Sequence, residues 1–374
     1  MAALGAGAAV GRLWRCALRT LTPPVVRHQV KRFLLTEEIL KLQEFQKKKL
    51  ATLYNLNIGK DVFFQSINEK LEKNNILLKS ELLALLHLCQ TPADVEFAKQ
   101  VIYRYQAENK NVMFGEYRFG PVVVRLCYEL DLEDTAIALV KDQSLGDFFR
   151  DSTSYSILMD LLFTKGQYEK ALDVLLEMRN QKVTFYGETY ILAFAICYKL
   201  NNTDSYKICS ALLDEVEMNG MRLPTQAYCF AVAFALKKSQ YVIARHIYSQ
   251  IRYTNGKLSK NVALLVKLHN EELEDVLDLL ETAANPTGPV YVRKPEFSEQ
   301  VMATIEEHLQ DTELEMRYNQ IYTKLKNSGQ IIALTLDDLL CFTPRTNRHH
   351  IHLLKPRTVS RRTFQPLQSP LLAE

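Results

Sequence analysis

Residues 154–183 read SYSILMDLLFTKGQYEKALDVLLEMRNQKV and carry two helical patterns separated by a turn. In the first pattern Tyr155 and Leu162 fall on one helix face, and Lys165-Gly166 then interrupts the pattern. The second pattern places small or apolar side chains on one face of another helix. These side chains are Ala171, Val174, Leu175 and Met178. The stretch therefore predicts a helical hairpin whose two helices share one apolar side.

The hairpin pattern repeats along the chain at steps of 35 and 38 residues. The tyrosines that open the first helix are Tyr155, Tyr190 and Tyr228. The place of Ala171 in the second helix is always taken by a small residue, since a bulky side chain there would force the two helices apart. These small residues are Ala98, Ala136, Ala171, Cys209 and Ala244. One hairpin cannot bury its apolar side alone, so the sequence predicts an all-α protein whose hairpins stack into a right-handed α-solenoid. A non-repetitive helical bundle with chance spacings is the alternative.

Four copies of the hairpin are clear between about residues 116 and 254, with a weaker copy at 80–108 and a shortened one after Ser259. The copy at 190–224 has about three additional residues, which we place in its turn, within NNTDSYKIC. The predicted organisation is a leader at 1–35, a helical segment at 36–79, the repeat array at 80–285, a Pro-rich linker at 286–295, further helices at 296–342 and a basic, Pro-rich, irregular tail at 343–374.

The charges of this 374-residue chain are distributed unevenly. Its 46 Lys and Arg nearly balance its 43 Asp and Glu, but six of the cations lie in residues 1–32 and six in residues 343–374. Residues 33–342 therefore hold 34 cations against 42 anions. This distribution excludes a uniformly cationic nucleic-acid binder. The 47% apolar content, with 13 Gly and 12 Pro, excludes collagen-like and disordered classes.

The first 35 residues have the composition of a mitochondrial import leader. They contain arginines but no acid before Glu37, and between Ala8 and Leu21 the arginines and apolar residues separate onto two helix faces. This pattern predicts import into the mitochondrial matrix, with cleavage between Arg32 and Leu35. A disordered basic tail is the alternative. No apolar run reaches 18 residues without a charge, so the sequence predicts no transmembrane helix.

The sequence contains no recognisable catalytic or metal-binding constellation. Glycine-rich phosphate loops and the H-E-x-x-H motif are both missing from it. The seven cysteines form no C-x-x-C pair and sit in apolar helical patterns, which predicts buried thiols in a reducing compartment. Acidic residues are ordinary at helix starts and on helix faces, which is where Asp337-Asp338 and the acidic run at 271–275 lie. The histidines of the tail are likewise not arranged as a designed metal site. We therefore predict a protein that is not an enzyme and that holds no cofactor and no metal.

The hairpin at 154–183 resembles the pentatricopeptide repeat. That family has a tyrosine opening the first helix, Lys and Gly at the turn, an alanine within the second helix and then a Glu-Met pair. The matching residues are Tyr155, Lys165, Gly166, Ala171, Glu177 and Met178. The resemblance covers roughly residues 80–285. Tetratricopeptide repeats fit less well because they carry a tryptophan in the first helix, and the only Trp here is Trp14.

The resemblance implies binding of single-stranded RNA, one base per repeat, along the first helices. Carried over by position, the base-facing candidates are Ser156, Tyr186, Ile191 and Cys229. The phosphate candidates are Lys199 and Lys237, with Lys165 and Lys238 one residue along. The family pairs a small polar residue after the tyrosine with Asn or Asp at the repeat's end, whereas the ends here are Tyr186, Pro224 and Ser259. No target sequence can therefore be derived, and core packing of Ile191 and Cys229 is an equal alternative.

The basic tail supplies further phosphate candidates. They are Arg345, Arg348, Lys355, Arg357, Arg361 and Arg362. The leading hypothesis is a non-enzymatic mitochondrial RNA-binding protein that supports RNA processing, stability or translation, and thereby respiratory-chain expression. Its partners would be single-stranded mitochondrial RNA, with processing nucleases or the mitochondrial ribosome. The alternative is an α-solenoid protein scaffold, for example a ribosome-associated one, that does not contact RNA directly.

Overall fold

The computed structural model describes residues 34–56, 59–109, 118–285, 294–310 and 312–342. Contacts divide the chain into Met1–Arg32 and Phe33–Glu374, and the description concerns the second unit. Most of the predicted leader, most of the Pro-rich linker and the entire basic tail lie outside the described residues. The described part is an all-α array of helical hairpins, which confirms the predicted α-solenoid.

Three short helices precede the array: α1 (Glu37–Leu40), α2 (Leu42–Asn55) and α3 (Lys60–Glu72). Six hairpins follow: α4 (Lys79–Leu88) with α5 (Pro92–Asn109), α6 (Gly120–Glu129) with α7 (Glu133–Lys141), α8 (Ser152–Thr164) with α9 (Tyr168–Asn180), α10 (Gly187–Leu200) with α11 (Thr203–Met218), α12 (Thr225–Lys237) with α13 (Tyr241–Ser249), and α14 (Lys257–His269) with α15 (Leu273–Ala284). A 3₁₀ turn at Gln143–Leu145 joins α7 to α8.

The first helices of successive hairpins stack directly on one another, from α4 through α14, and we call this stack the first-helix row. In α8 every residue from Ser154 to Phe163 is buried. In α9, by contrast, only one face is buried, and it consists of the four residues predicted from the sequence. An entirely apolar helix is expected inside a stack and an amphipathic one at its outside. The burial pattern therefore places the first helices between neighbouring hairpins and the second helices at the solvent-facing edge.

The predicted small residues lie in the packed interface between helices. All five are buried, with exposed fractions of 2% or less: Ala98, Ala136, Ala171, Cys209 and Ala244. The prediction that three extra residues lengthen the turn after α10 is wrong. The helix α11 begins 13 residues after Tyr190, as α9 does after Tyr155, but it is 16 residues long rather than 13. Three residues are nearly one helical turn, so the insertion keeps Cys209 on the buried face.

The described body starts with a segment that docks onto the first-helix row. Leu34 and Leu35 are each only 2% exposed, and their backbone N–H groups donate to one carboxylate oxygen of Asp160, in the middle of α8, at 2.9 and 3.2 Å. The other oxygen accepts from the Tyr128 hydroxyl at 3.0 Å. This fully buried carboxylate therefore satisfies three donors and anchors the chain where it enters the fold.

The C-terminal part forms its own core against α14 and α15. It contains α16 (Glu299–Leu309), α17 (Glu315–Asn327) and α18 (Leu336–Leu340), with two-residue strands β1 (Phe297–Ser298) and β2 (Ile331–Ile332) paired in parallel. The helices α16 and α17 occupy the stretch for which the sequence predicts two helices after the linker. Among the described residues no helix is long and apolar enough to cross a membrane. All six cysteines in this part of the chain are buried and unbridged, as predicted.

Candidate nucleic-acid interface

The predicted phosphate lysines lie at the C-terminal ends of the first helices. Lys199 and Lys237 occupy the last turns of α10 and α12, and Lys165 and Lys238 are the residues that cap α8 and α12. Because α10 and α12 stack side by side, two lysines 38 residues apart lie next to each other. A row of cations at helix C-termini is also favoured by the helix dipole.

The two capping lysines fasten one hairpin turn to the previous one. The Lys165 ammonium donates to the backbone carbonyl of Asp131 at 3.0 Å and to the Glu133 carboxylate. Lys238 makes the equivalent contact two repeats later, donating to the Asn201 carbonyl at 2.8 Å. Burial opposes the charge of Lys165, but the Glu133 carboxylate outweighs it and raises the pKa of the lysine. These two lysines therefore have a structural role that the sequence pattern did not predict.

Lys199 and Lys237 meet at a tyrosine, and we call Tyr198, Lys199 and Lys237 the lysine–tyrosine cluster. The Lys237 ammonium lies 3.6 Å from the centroid of the Tyr198 ring, a cation–π contact. Lys199 donates to Asp337 Oδ2 at 2.8 Å, and the Tyr198 hydroxyl donates to the other oxygen of the same carboxylate. Two cations and a phenol thus converge on one anionic group that α18 supplies.

The charges of this cluster depend on one another. Burial alone would raise the pKa of Asp337, but the hydrogen bonds from Lys199 and Tyr198 outweigh it and lower that pKa. Desolvation lowers the pKa of Lys237; Asp337 opposes this change and the nearby Lys199 reinforces it. Asp337 is therefore ionised at neutral pH. The cluster is a preorganised anion site of partly desolvated donors, in which charge-assisted hydrogen bonds are strong.

The base-facing candidates differ in how far they are exposed. Ser156 and Cys229 are buried, at 3% and 0% exposure, and they present no surface to a base in this conformation. Burial raises the pKa of the Cys229 thiol to about 12. Ile191 is half-buried, whereas Tyr186 is 58% exposed at the start of α10. The role of these four positions in base contacts stays a prediction, with available surface only at Ile191 and Tyr186.

The predicted tail cations from Arg345 to Arg362 lie outside the described residues. Across the residues that the structure does describe, no group of three His, Cys, Asp or Glu side chains is placed to hold a metal ion. Sequence reasoning missed Tyr198 and Asp337 as parts of the site. They are 139 residues apart, so only the packing of α18 against α10 and α12 reveals their contact. The one available signal was that Tyr198 precedes Lys199 directly.

Comparison with known proteins gives two kinds of similarity. The chain is 58% identical to "Pentatricopeptide repeat-containing protein 2, mitochondrial" of Xenopus laevis over 382 residues, with 100% of each chain covered. It is 52% identical to the protein of that name from Mus musculus, over 92% of this chain and 91% of the relative. The Homo sapiens protein of that name is 48% identical, over 92% of this chain and 89% of the relative. The profile of the family described as "Mitochondrial 28S ribosomal protein S27" matches residues 9–332. Neither description names an enzymatic activity.

Proposed function

Because this chain belongs to the family of mitochondrial pentatricopeptide repeat-containing protein 2, and its sequence also fits the mitochondrial 28S ribosomal protein S27 family, we propose that it is a non-enzymatic matrix protein that binds single-stranded RNA along its first-helix row. Both family names place the relatives in mitochondria; one of them names a pentatricopeptide repeat and the other a ribosomal protein. The Arg-rich leader composition supports the matrix location.

The lysine–tyrosine cluster is the observation that carries this proposal. It holds the carboxylate of Asp337 with one ammonium at 2.8 Å and one phenol hydroxyl, and a second ammonium lies over the phenol ring. A phosphodiester has the same unit charge and offers the same kind of acceptor oxygens. Neutralising backbone phosphates supplies most of the affinity of sequence-independent binding. The cluster therefore suits one RNA phosphate between α10 and α12.

The proposed binding mode is sequence-tolerant and of moderate affinity. Few first-helix positions offer a polar side chain to a base, while the exposed Tyr186 ring can stack on any base. The excess of acids in residues 33–342 limits the electrostatic attraction between the array and RNA. We propose that the six tail cations add affinity and that the bound segment is shielded from, or presented to, nucleases made by other proteins. Processing, stability or translation of mitochondrial transcripts would be supported in this way.

We expect Lys237→Gln in the full chain to weaken binding to a random single-stranded RNA pool by about three- to tenfold at low salt. Loss of one phosphate contact should also reduce the slope of log affinity against log salt by about 0.7 between about 50 and 200 mM. Lys207→Gln is the matched control, because Lys207 is an exposed lysine of α11, outside the first-helix row. Its affinity should stay within about twofold of the unchanged chain. The measurement is fluorescence anisotropy across a salt series.

Equal weakening by the two variants would contradict a specific phosphate contact at the cluster. A third full-length variant, Arg361→Gln with Arg362→Gln, tests the tail. If this variant alone loses binding and Lys237→Gln does not, the proposed place of RNA on the first-helix row is wrong and the tail is the RNA-binding part.

A protein scaffold associated with the mitochondrial ribosome is the second candidate, favoured by a different observation. The ribosomal S27 family profile covers residues 9–332, and three of the four predicted phosphate lysines already contact acceptors of the chain itself. On this reading the full chain binds no free RNA. It sediments with small mitochondrial ribosomal subunits instead, and Lys237→Gln leaves that sedimentation unchanged.

A further inference from the structure

The last described residues lie across the candidate RNA surface. We call residues 335–342 the C-terminal segment. Its helix α18 packs on α12 and α14, and Asp337 reaches the lysine–tyrosine cluster on α10. Gln226 of α12 donates to the Leu340 carbonyl at 2.7 Å. Leu340 and Cys341 are 0% and 4% exposed. The segment therefore covers three successive first helices.

The attachment of this segment is firm at its start, and the side chain at its end is exposed. Thr335 caps α18 through reciprocal hydrogen bonds with Asp338, and the Leu336 N–H donates to Gln300 of α16 at 3.0 Å. A helix of five residues is not stable by itself in water, so α18 depends on these caps and on its contact with the row. The Phe342 side chain, at the end of the segment, is 55% exposed.

Resting on the RNA-binding function proposed above, we propose that the C-terminal segment is an internal competitor of RNA. Asp337 occupies the place of one phosphate, and an RNA strand that binds the lysine–tyrosine cluster displaces the segment from α10 and α12. Closing of the segment in the absence of RNA keeps the buried side of α18 away from water and keeps Lys199 paired with a carboxylate.

The sequence gives RNA a route to this site. Six cations follow Phe342 within residues 343–374, directly after the segment that must move. Cations joined to the segment by a short stretch of chain raise the local concentration of any RNA that they hold. An RNA strand first held by the tail is therefore delivered to the covered surface, and the affinity measured for the full chain includes the cost of opening.

Asp337→Asn should raise the affinity of the full chain for the random RNA pool about tenfold at low salt, because the neutral amide no longer competes for the two lysines. The matched control is Asp204→Asn, which removes the same charge from the exposed start of α11. The control should change affinity less than about twofold. An equal gain in RNA affinity in both variants would show that the change in net charge alone causes it, and this would overturn the proposal.

Reactivity of Cys341 provides a reciprocal measurement on the unaltered chain. Its thiol belongs to the segment and is buried while the segment is closed, so saturating RNA should increase its rate of alkylation by N-ethylmaleimide by about fivefold or more. The other buried cysteines, read in the same peptide digest, should not change. If RNA binds and neither Cys341 reactivity nor the Asp337→Asn affinity changes, the competitor is disproved while RNA binding stands. If no variant binds RNA, the proposed function itself has failed.

An independent observation concerns the start of the folded body. The Leu34 side chain is buried, and its N–H lies 2.9 Å from the Asp160 carboxylate inside α8. A peptide N–H is a neutral donor, so among the described residues this carboxylate accepts hydrogen bonds from neutral groups only. A buried anion with neutral donors only is costly, and a cation at one of these positions would relieve the cost.

We infer that the import leader is removed between Phe33 and Leu34, so that the new α-ammonium of Leu34 forms an ion pair with Asp160. A matrix protease would hydrolyse that peptide bond: water supplies the hydroxyl to the Phe33 carboxyl and a proton to the Leu34 nitrogen. The proton released by the carboxyl group completes the ammonium. A cut one residue later would remove a core leucine and one of the Asp160 donors.

The test is import of the full chain into isolated mitochondria, followed by chemical labelling of α-amines and mass spectrometry of the N-terminal peptide. A mature protein that begins at Leu34 is the expected result. A mature N-terminus at Leu35 or later, one at Phe33 or earlier, or an uncut chain would each overturn the inference. Asp160→Asn serves as a second measurement: the cut should stay in place, while resistance of the mature protein to added protease falls about tenfold or more.

Discussion

Asp160→Ala should lower the free energy of unfolding of the full chain by about 3–5 kcal/mol, among the largest effects that one substitution can have here. The variant leaves two backbone N–H groups and the Tyr128 hydroxyl buried without their acceptor. Each such group costs about 1–3 kcal/mol. It also frees Leu34 and Leu35 from α8. The measurement is the urea midpoint followed by circular dichroism, expected to fall clearly.

Two controls separate the lost acceptor from the lost charge. Asp173→Ala removes an exposed carboxylate from α9 and should change the free energy of unfolding by less than about 1 kcal/mol. Asp160→Asn keeps an acceptor oxygen for the two N–H groups and an amide that can donate to Tyr128. This variant should therefore stay within about 1 kcal/mol of the original chain near pH 4, where the folded-state Asp160 carboxyl is protonated. A midpoint for Asp160→Ala equal to that of Asp173→Ala would contradict the anchoring role.

The same carboxylate predicts a pH dependence of defined sign. Burial raises the pKa of Asp160 from 3.8 to about 6, although its three hydrogen bonds oppose the shift. Because the pKa is higher in the folded state, the stabilising contribution is complete below about pH 4 and is lost as pH rises through about 6. The loss amounts to at most about 3 kcal/mol. Asp160→Asn should lack it, so the two unfolding curves should converge at low pH in the uncleaved chain.

Local periodicity was sufficient to predict the hairpins but not the contacts between distant segments. The buried face of α9 and the small residues from Ala98 to Ala244 follow from spacing along single helices. The insertion in α11 was misplaced, because three extra residues change the spacing equally whether they lengthen a turn or a helix. The N-terminal contact at Asp160 and the C-terminal contact at Asp337 join residues more than 120 positions apart. No pattern in one stretch of chain encodes such a pair.

The candidate site, too, could be predicted in part from the repeat and in part only from the structure. Position in the repeat predicted that Lys199 and Lys237 would lie at equivalent places, and the structure places both ammonium groups near the Tyr198 ring. It could not distinguish them from Lys165 and Lys238, one residue further along, whose ammonium groups reach back to the previous turn. A shift of one residue rotates a helical side chain by about 100°. That rotation separates a lysine that lies near Tyr198 from a lysine that joins two repeats.

Ala171→Leu should destabilise the full chain by about 3 kcal/mol. This substitution tests the rule, used to predict the fold, that a small residue is needed where the two helices of a hairpin meet. Ala171 is fully buried in α9, where the second helix packs against its hairpin partner α8. Three added carbon atoms must displace α8 or force strained rotamers, and such overpacking typically costs about 1–3 kcal/mol, occasionally more. The displaced helix also belongs to the first-helix row, so both neighbouring hairpins are disturbed. The measurement is again the urea midpoint.

Two controls show whether size at this position is the cause. Glu169→Leu introduces the same side chain at an exposed position of the same helix and should cost less than about 1 kcal/mol. Cys209→Ala places alanine at the equivalent position of α11, and should also cost about 1 kcal/mol or less because the site already accommodates a small residue. If Ala171→Leu unfolds at the same urea concentration as Glu169→Leu, the helices of this hairpin do not require a small residue at their contact. The repeat spacing would then have predicted the solenoid for a reason other than close helix packing.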